Sequence, residues 1–382
     1  MSLPYGYLIG LIVLVLPVLR LPRLPILPGT AVFLVTIAVI ELPFIAVAAF
    51  AASTGLAFAE GDLDSPVAIG AAALAAACLA LTAWRGMRTG RVLQVAMGDT
   101  PVPTRLPYWR ILLCPFAFRP GSVERVADLS YGPAGERNLL DLYRHRSRPT
   151  GAPVLIHFHG GYYAMGRKNS QSLPMLHRLA AQGWVCVSAN YRLRPDAGFE
   201  DHVVDAKRVV AWVRAHGRAW GADPDRIVLT GSSAGAHMSA LAALTADDPA
   251  FQPGFEEVDT SVSAVVGLGG YFGPYFDRDE QTSPLARVRP DAPPFLIVHG
   301  DHDTAASAAD ARRFAEGLRA VSEQKVVYAE LPGGQHGFDK FHSPRFEAVV
   351  NAVEAFAEEA FATGGVAGRT IRSSATPAPR GR

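Results

Sequence analysis

The chain has 382 residues, 49% of them hydrophobic, and a formal net charge of +1 at pH 7. A near-neutral charge excludes the basic surface that is typical of nucleic-acid-binding proteins, and three cysteines exclude the disulfide framework of a small secreted domain. This length accommodates one large α/β domain with additional segments.

Three apolar stretches predict that residues 1–91 form a membrane anchor. Residues 67–84 carry no charge and, as a helix, are just long enough to cross a hydrocarbon core about 30 Å thick. Residues 31–58 contain a single charged side chain, Glu41, and residues 3–19 form a shorter stretch interrupted by a proline. The first ten residues contain no Lys or Arg, so we expect no cleaved secretory signal. The sequence therefore predicts about three transmembrane segments and a multi-pass protein of the cell membrane.

The charges that flank the third stretch predict its orientation. Arg85, Arg88 and Arg91 follow it, whereas residues 60–64 before it are acidic. Because arginines concentrate on the cytoplasmic side of membrane proteins, the chain after residue 91 is predicted to be cytoplasmic.

An alternative interpretation divides the second stretch at residues 41–43 and gives four crossings. It would leave Arg20 and Arg23, which lie between the first two stretches, outside the cell. We interpret Glu41, which lies close to Pro43, as a bend or an interfacial turn, with an intramembrane functional carboxyl as the alternative.

Residues 92–124 are predicted to be a linker or cap segment. Five prolines prevent a long helix, and the segment has more aromatic and aliphatic residues than a linker requires. Because Trp and Tyr favour the membrane–water interface, this segment is expected to lie close to the bilayer.

From residue 125 to residue 363, short strands alternate with amphipathic helices. Residues 126–131 and 138–144 predict an antiparallel pair of strands. Six further strands begin near residues 153, 184, 226, 263, 294 and 325. This pattern predicts an α/β fold with an eight-stranded, mostly parallel sheet covered by helices on both faces. Ligands of such a sheet bind beyond the carboxyl ends of its strands.

One strand ends at a serine on a sharp turn. Residues 231–235 read Gly-Ser-Ser-Ala-Gly and lie between a strand and a helix. Glycine at both ends permits a chain reversal that a Cβ atom would obstruct. Ser233 is therefore the candidate nucleophile, and the side chain of Ser232 is expected to point away from the substrate, so that its loss is nearly silent.

Three other strand ends supply the remaining groups of a serine hydrolase. His159 opens the segment His-Gly-Gly-Tyr, whose backbone N–H groups can stabilise an oxyanion. Asp303 and His336 follow two later strands, and a carboxylate that orients an imidazole is what a serine needs to become a nucleophile. The chain order of oxyanion loop, Ser, Asp and His is that of hydrolases with a serine at a strand-to-helix turn.

Residues 125–362 resemble the α/β-hydrolase superfamily. The H-G-G loop, the G-x-S-A-G turn and the H-G-F ending are similar to those of the hormone-sensitive-lipase-like bacterial esterases and lipases. The resemblance implies Ser233 as nucleophile, His336 as base and Asp303 as acid.

The same resemblance implies that the N–H groups of Gly160, Gly161 and Ala234 form the oxyanion hole. Tyr162 stands where this branch usually has a third glycine, as in related carboxylesterases and formamidases. The resemblance also implies a cap over the acyl pocket near residues 92–124.

Other acids and histidines close to these motifs are alternatives. Asp303 matches the family's H-G-x-x-D pattern, so Asp301 is expected to shape the turn. His302 competes with His336, but a base must come from a separate loop that faces the serine. Packing roles are expected for the other nearby histidines, namely His157, His159 and His237.

The sequence therefore predicts a membrane-anchored serine carboxylic-ester hydrolase that cleaves short to medium acyl esters through an acyl-enzyme. The expected partners are a small-molecule ester, a lipid among the candidates, and a membrane, with no nucleic acid, cofactor or metal. An amidase or arylformamidase on the same triad and a non-catalytic binding protein are the alternatives. A chain that begins near Pro101 is predicted to keep esterase activity, and residues 364–382 are predicted to form a disordered basic tail.

Overall fold

The computed structural model of the protein describes residues 5–19, 26–246, 248–276 and 278–373. These residues contain one sheet of eight strands in the order β1-β2-β4-β3-β5-β6-β7-β8. Strands β1 and β2 are antiparallel to their neighbours, and the other strands are parallel. The predicted eight-stranded, mostly parallel α/β sheet is confirmed. The strands are β1 (Val123–Ser130), β2 (Leu139–His145), β3 (Ala152–Phe158), β4 (Val185–Ala189), β5 (Ala222–Ser232), β6 (Ala264–Leu268), β7 (Phe295–Gly300) and β8 (Val326–Leu331).

Helices cover both faces of this sheet, because its inner strands are apolar on both sides. All five residues of β4 and of β6 are buried. One hydrophobic cluster lies under α8 (Phe199–His216), α9 (Ala234–Leu244) and α10 (Ala308–Val321), and a second lies under α7 (Leu173–Ala181) and α11 (Pro344–Ser373).

The predicted linker begins with a helix that belongs to the core of the hydrolase domain. Helix α5 (Thr89–Met97) packs against α11, and its Leu93 and Met97 are fully buried in the second cluster. Residue 92, the predicted domain boundary, therefore lies within a core helix. The short helix α6 (Tyr108–Leu113) follows, and several large apolar side chains in and after it are exposed: Tyr108, Trp109, Leu112, Leu113, Phe116 and Phe118.

The N-terminal part of the chain differs from the three predicted spans. The described helices are α1 (Tyr5–Val15), α2 (Ile26–Glu41), α3 (Pro43–Ala59) and α4 (Pro66–Met87). Within the described ranges, one continuous helical stretch, Pro66–Met97, has the length and composition to cross a membrane, and the bent pair α2–α3 is long and apolar enough only when its two helices are taken together. Multi-pass insertion is thus not established by the fold.

The second predicted span, residues 31–58, is broken in the middle. Helices α2 and α3 meet at an angle of 97°. The break occurs because the ring of Pro43 disfavours helical geometry at the residue before it, and Leu42 adopts φ −118° and ψ 49°.

Some predicted features fall at the edges of the described residues. Arg20 and Arg23, on which the choice between three and four crossings depends, lie outside the described residues. Residues 374–382 also lie outside them. Helix α11 continues to Ser373, into the segment predicted to be a disordered tail. A helix that has begun can extend in this way because each added residue closes one more hydrogen bond.

Candidate active site

Ser233 lies at a sharp turn between β5 and α9. Its backbone has φ 55° and ψ −117°, a conformation that non-glycine residues rarely adopt. A Cβ atom on Gly231 would lie 2.2 Å from the carbonyl of Gly235, and one on Gly235 would lie 2.1 Å from the carbonyl oxygen of Phe158. The close crossing of strand and helix therefore requires glycine at both positions, as the sequence motif predicts.

Asp303 and His336 form a hydrogen-bonded pair at the ends of β7 and β8. The Nδ1 atom of His336 lies 2.8 Å from Oδ2 of Asp303. The other oxygen, Oδ1, accepts hydrogen bonds from the backbone N–H groups of Ala305 (2.8 Å) and Ala306 (2.7 Å). The carboxylate is completely buried and is held from two sides.

The two partners shift each other's pKa in opposite directions. Burial would raise the pKa of Asp303, but the charge of His336 and the hydrogen bonds from His299 and His336 hold it well below its usual range. Burial would lower the pKa of His336, but the Asp303 carboxylate raises it above its ordinary value of 6.5. Asp303 is therefore ionised at neutral pH and favours the protonated imidazole.

Asp301 connects the loops that follow the last two strands. Its Oδ1 accepts the backbone N–H of Gly333 at 2.5 Å and so joins the loop after β7 to the loop after β8. His302 Nε2 lies 3.9 Å from the same Asp301 oxygen. The structure thus brings Asp303 to the imidazole of His336 and places Asp301 where it shapes the turn.

The nucleophile and the Asp–His pair meet at the end of β6. The backbone N–H of Ser233 donates to the carbonyl of Leu268 at 3.0 Å. The next residue, Gly269, has φ 52°, and a Cβ atom there would lie 3.6 Å from Asp303 Oδ2 and 3.7 Å from His336 Nδ1. Within the described residues no hydrogen bond joins Ser233 to His336, and such catalytic bonds often tighten only in the substrate complex.

One N–H group of the predicted oxyanion loop is bound to a side chain of the protein. The backbone N–H of Gly160 donates to Oε1 of Gln171 at 2.5 Å, so the Gln171 amide, and not an oxyanion, is its acceptor. No protein acceptor binds the N–H of Gly161 or of Ala234 in the part of the chain that the structure describes. Ala234 is the first residue of α9, where backbone N–H groups have no partner within the helix.

Gly160 is nevertheless required beside the nucleophile. A Cβ atom on it would lie 2.8 Å from Cβ of Ser233. Gly161 has φ 121°, and a Cβ atom there would lie 2.1 Å from the carbonyl oxygen of Met165. Glycine is therefore required at both positions, because neighbouring parts of the chain lie too close for a Cβ atom.

A buried carboxylate that the sequence analysis missed lies beneath the nucleophile turn. Asp339 Oδ2 accepts hydrogen bonds from the hydroxyls of Ser232 (2.5 Å) and Ser172 (2.6 Å). The backbone N–H of Ser172 donates to the carbonyl of Asp339 at 3.1 Å. Ser232 thus joins the turn of Ser233 to the loop that carries His336 and Asp339.

Gln335 was also missed, and it joins the acid loop to the histidine loop. Its Oε1 accepts the backbone N–H groups of Thr304 and His336, both at 2.9 Å. The signal for Gln335 and Asp339 was present in the sequence, because both are polar residues that flank His336 in a segment otherwise rich in glycine and phenylalanine.

The remaining histidines near the motifs have packing roles in the described structure. His237 Nδ1 lies 2.7 Å from the hydroxyl of Tyr163, and its Nε2 lies 3.1 Å from the carbonyl of Gly273. His159 stacks on Tyr191 with ring centroids 4.4 Å apart. Burial lowers the pKa of His157, His159 and His237 to about 4. Among the described residues there is no group of three or more His, Cys, Asp or Glu side chains that could hold a metal ion.

Comparison with known proteins relates the chain to esterases. Residues 140–275 match the family described as BD-FAE. The chain is 36% identical over 318 residues to Esterase LipQ of Mycobacterium tuberculosis, a match that covers 72% of this chain and 76% of LipQ. It is 43% identical over 264 residues to the same organism's probable carboxylic ester hydrolase LipM, with 62% of this chain and 61% of LipM covered.

Solved structures show the same fold. Esterase B from Lactobacillus Rhamnosis superposes with a TM-score of 0.56 at 19% identity, covering 73% of this chain and 94% of that one. Butyrate-bound esterase 2 from Thermogutta terrifontis superposes with a TM-score of 0.51 at 23% identity, covering 68% and 97%. At these identities the likeness is one of fold alone.

Proposed function

Because the chain belongs to the carboxylesterases of the α/β-hydrolase superfamily, we propose that it hydrolyses carboxylic esters through Ser233, His336 and Asp303. The observation that carries the proposal is the 2.8 Å contact between His336 and a buried carboxylate, next to a serine on a strained turn. The chain spans only 61% of the length of LipM, so the activity of the whole protein is part of the proposal.

The chemistry follows from the protonation states of the pair. Asp303 accepts the Nδ1–H of His336 and so leaves Nε2 free to take the proton of the Ser233 hydroxyl. The serine oxygen attacks the ester carbonyl, and the N–H groups of Gly161 and Ala234 are proposed to stabilise the resulting oxyanion. Protonated His336 returns the proton to the alcohol as it leaves. Water then hydrolyses the acyl-enzyme with the same histidine as base.

We propose short to medium acyl esters as substrates. This size agrees with the butyrate and the propionate bound in structures of Thermogutta terrifontis esterase 2. The test is a panel of p-nitrophenyl esters from acetate to palmitate, run beside N-formyl and anilide substrates on the detergent-solubilised full chain. Turnover of the short esters that disappears in Ser233→Ala, by several orders of magnitude, is expected. Faster cleavage of the N-formyl or anilide substrates would instead assign an amidase.

We also propose that α3 and α4 insert into the cell membrane as a hairpin. At 1.5 Å per residue, 17 and 22 residues measure about 26 and 33 Å, close to the thickness of a hydrocarbon core. Both helices expose large apolar side chains to the surroundings of the protein: Ile45, Val47, Leu56, Phe58, Val67, Ile69, Leu74 and Trp84.

The polar flanks of this hairpin support a cytoplasmic hydrolase domain. The acidic residues 60–64 form the connection at the far end, whereas Arg85 at the near end packs against the hydrolase domain, 2.9 Å from the position of a Cβ on Gly333. With arginines inside, α3 leaves the cytoplasm and α4 returns to it. Protease added to intact cells should leave the hydrolase domain uncut. Its digestion from outside would reverse this topology.

A further inference from the structure

Helix α2 leads into the membrane hairpin, but it lies on the loop of the catalytic histidine. The ring centroids of Phe33 and His336 are 6.2 Å apart. A Cβ atom on Gly337 would lie 3.6 Å from both Phe33 Cζ and Ile37 Cδ1. The Nζ atom of Lys340 lies 5.5 Å from the Phe33 ring centroid. The middle of α2 therefore covers the segment that carries His336.

The contacts belong to one face of α2. Thr36, Ile37, Ile40 and Glu41 are buried, and with Phe33 they recur at the spacing of one helix face. On the opposite face Leu34 is 57% exposed. Val39 lies on a neighbouring face and is buried with Leu11 and Leu79 against the other N-terminal helices.

A buried ion pair fixes this helix where it ends. Glu41 Oε1 lies 2.5 Å from Nη1 of Arg345, and its Oε2 accepts the hydroxyl of Ser343 at 2.5 Å. Arg345 also donates to the carbonyl of Pro332 at 2.9 Å, and both charged side chains are within 1% of full burial. Removing one member of a buried pair leaves the other charge without compensation, and such pairs are best known for fixing the register of packed elements.

The position beside His336 determines which part of an ester α2 would contact. In serine-hydrolase chemistry the histidine gives its proton to the departing alcohol, so the alcohol portion lies next to the imidazole. Phe33 and Ile37 offer aromatic and aliphatic surface there, and the Lys340 ammonium lies 5.5 Å from the Phe33 ring centroid. The acyl portion remains on Ser233 after the alcohol has left.

We propose that α2 forms the alcohol-side wall of the active site, that Phe33 makes this wall selective for apolar alcohol groups, and that Glu41 is the positioning residue that holds it there. This inference rests on the proposed ester hydrolysis and specifies its substrate class as esters with an apolar alcohol.

The experiment keeps the acyl group constant and varies the alcohol. Rates of methyl, butyl, hexyl and benzyl acetate are measured on the full chain in detergent. Phe33→Ala should lower the preference for hexyl and benzyl over methyl acetate by about tenfold, mainly through KM. The acyl-length profile with p-nitrophenyl esters should not change. Phe58→Ala, on the exposed surface of α3, is the matched control and should leave both profiles unchanged.

Glu41→Gln tests whether the ion pair positions α2. If Glu41 only stabilised the fold, its replacement would not change the preference among alcohol groups. Glu41→Gln should reduce the same alcohol preference, and the double variant with Phe33→Ala should be no worse than the more affected single variant, because both act through α2. An unchanged alcohol preference in Phe33→Ala, in an enzyme that cleaves acetates, would overturn this inference alone. A wild-type protein that cleaves no ester would overturn the proposed function and this inference with it.

Discussion

Replacing Leu93 by alanine should destabilise the protein by about 2–5 kcal/mol, the cost of removing a fully buried leucine side chain. Leu93 and Met97 lie between α5 and α11 in the core cluster on one face of the sheet. A chain that begins at Pro101 lacks both, at a combined cost of roughly 4–10 kcal/mol, which is comparable to the whole stability of a typical domain. We therefore expect that this truncated chain does not fold, in contrast to the expectation from sequence.

The measurement is the urea midpoint of tryptophan fluorescence on the full chain in detergent, for wild type, Leu93→Ala and a control on the same helix. Val95 is 77% exposed, and Val95→Ala should change stability by no more than about 0.5 kcal/mol. If Leu93→Ala has the midpoint of wild type, or if the chain from Pro101 is a soluble, active esterase, the assignment of α5 to the hydrolase core is refuted.

Other predictions concern the site itself. Ser232→Ala should lower stability by about 1.5–3 kcal/mol, because it removes a hydrogen bond to the buried Asp339 carboxylate, and chemical denaturation would measure it. Asp303→Asn should lower kcat by roughly 10⁴-fold, whereas Asp301→Asn should act mainly on stability; a larger kinetic loss at Asp301 would exchange their roles. Activity needs neutral His336, and Asp303 raises the pKa of this imidazole, so the acid limb of the kcat/KM profile should lie above pH 6.5. In Asp303→Asn this limb should shift to lower pH. An unshifted limb would show that another group titrates.

Local sterics explain why the nucleophile turn could be predicted from sequence. The requirement for glycine at 231 and 235 arises from atoms within five residues and from the strand beside them. The Asp303–His336 pair could also be predicted from sequence, because the ends of neighbouring parallel strands meet at one edge of the sheet.

Contacts that depend on the folded chain could not be predicted in this way. Gly160 N–H was expected to face an oxyanion, but the side chain that accepts it, Gln171, comes from a loop whose path no local pattern specifies. Glu41 lies 304 residues from Arg345, and its surroundings in sequence are those of a membrane helix. From sequence, the isolated charge predicts a bend. The structure has this bend. The sequence could not predict that Arg345 pairs with the Glu41 carboxylate.

The angle between α2 and α3 has a mechanical consequence. Glu41 is held in the protein interior, and the break in the helix follows at Leu42, the next residue. Membrane helices tilt to match bilayers of different thickness. A tilt of α3 would be taken up by rotation about Leu42, while the ion pair keeps the preceding helix in place. If α3 lies in a bilayer, as proposed above, this hinge would separate the loop of His336 from changes in lipid chain length.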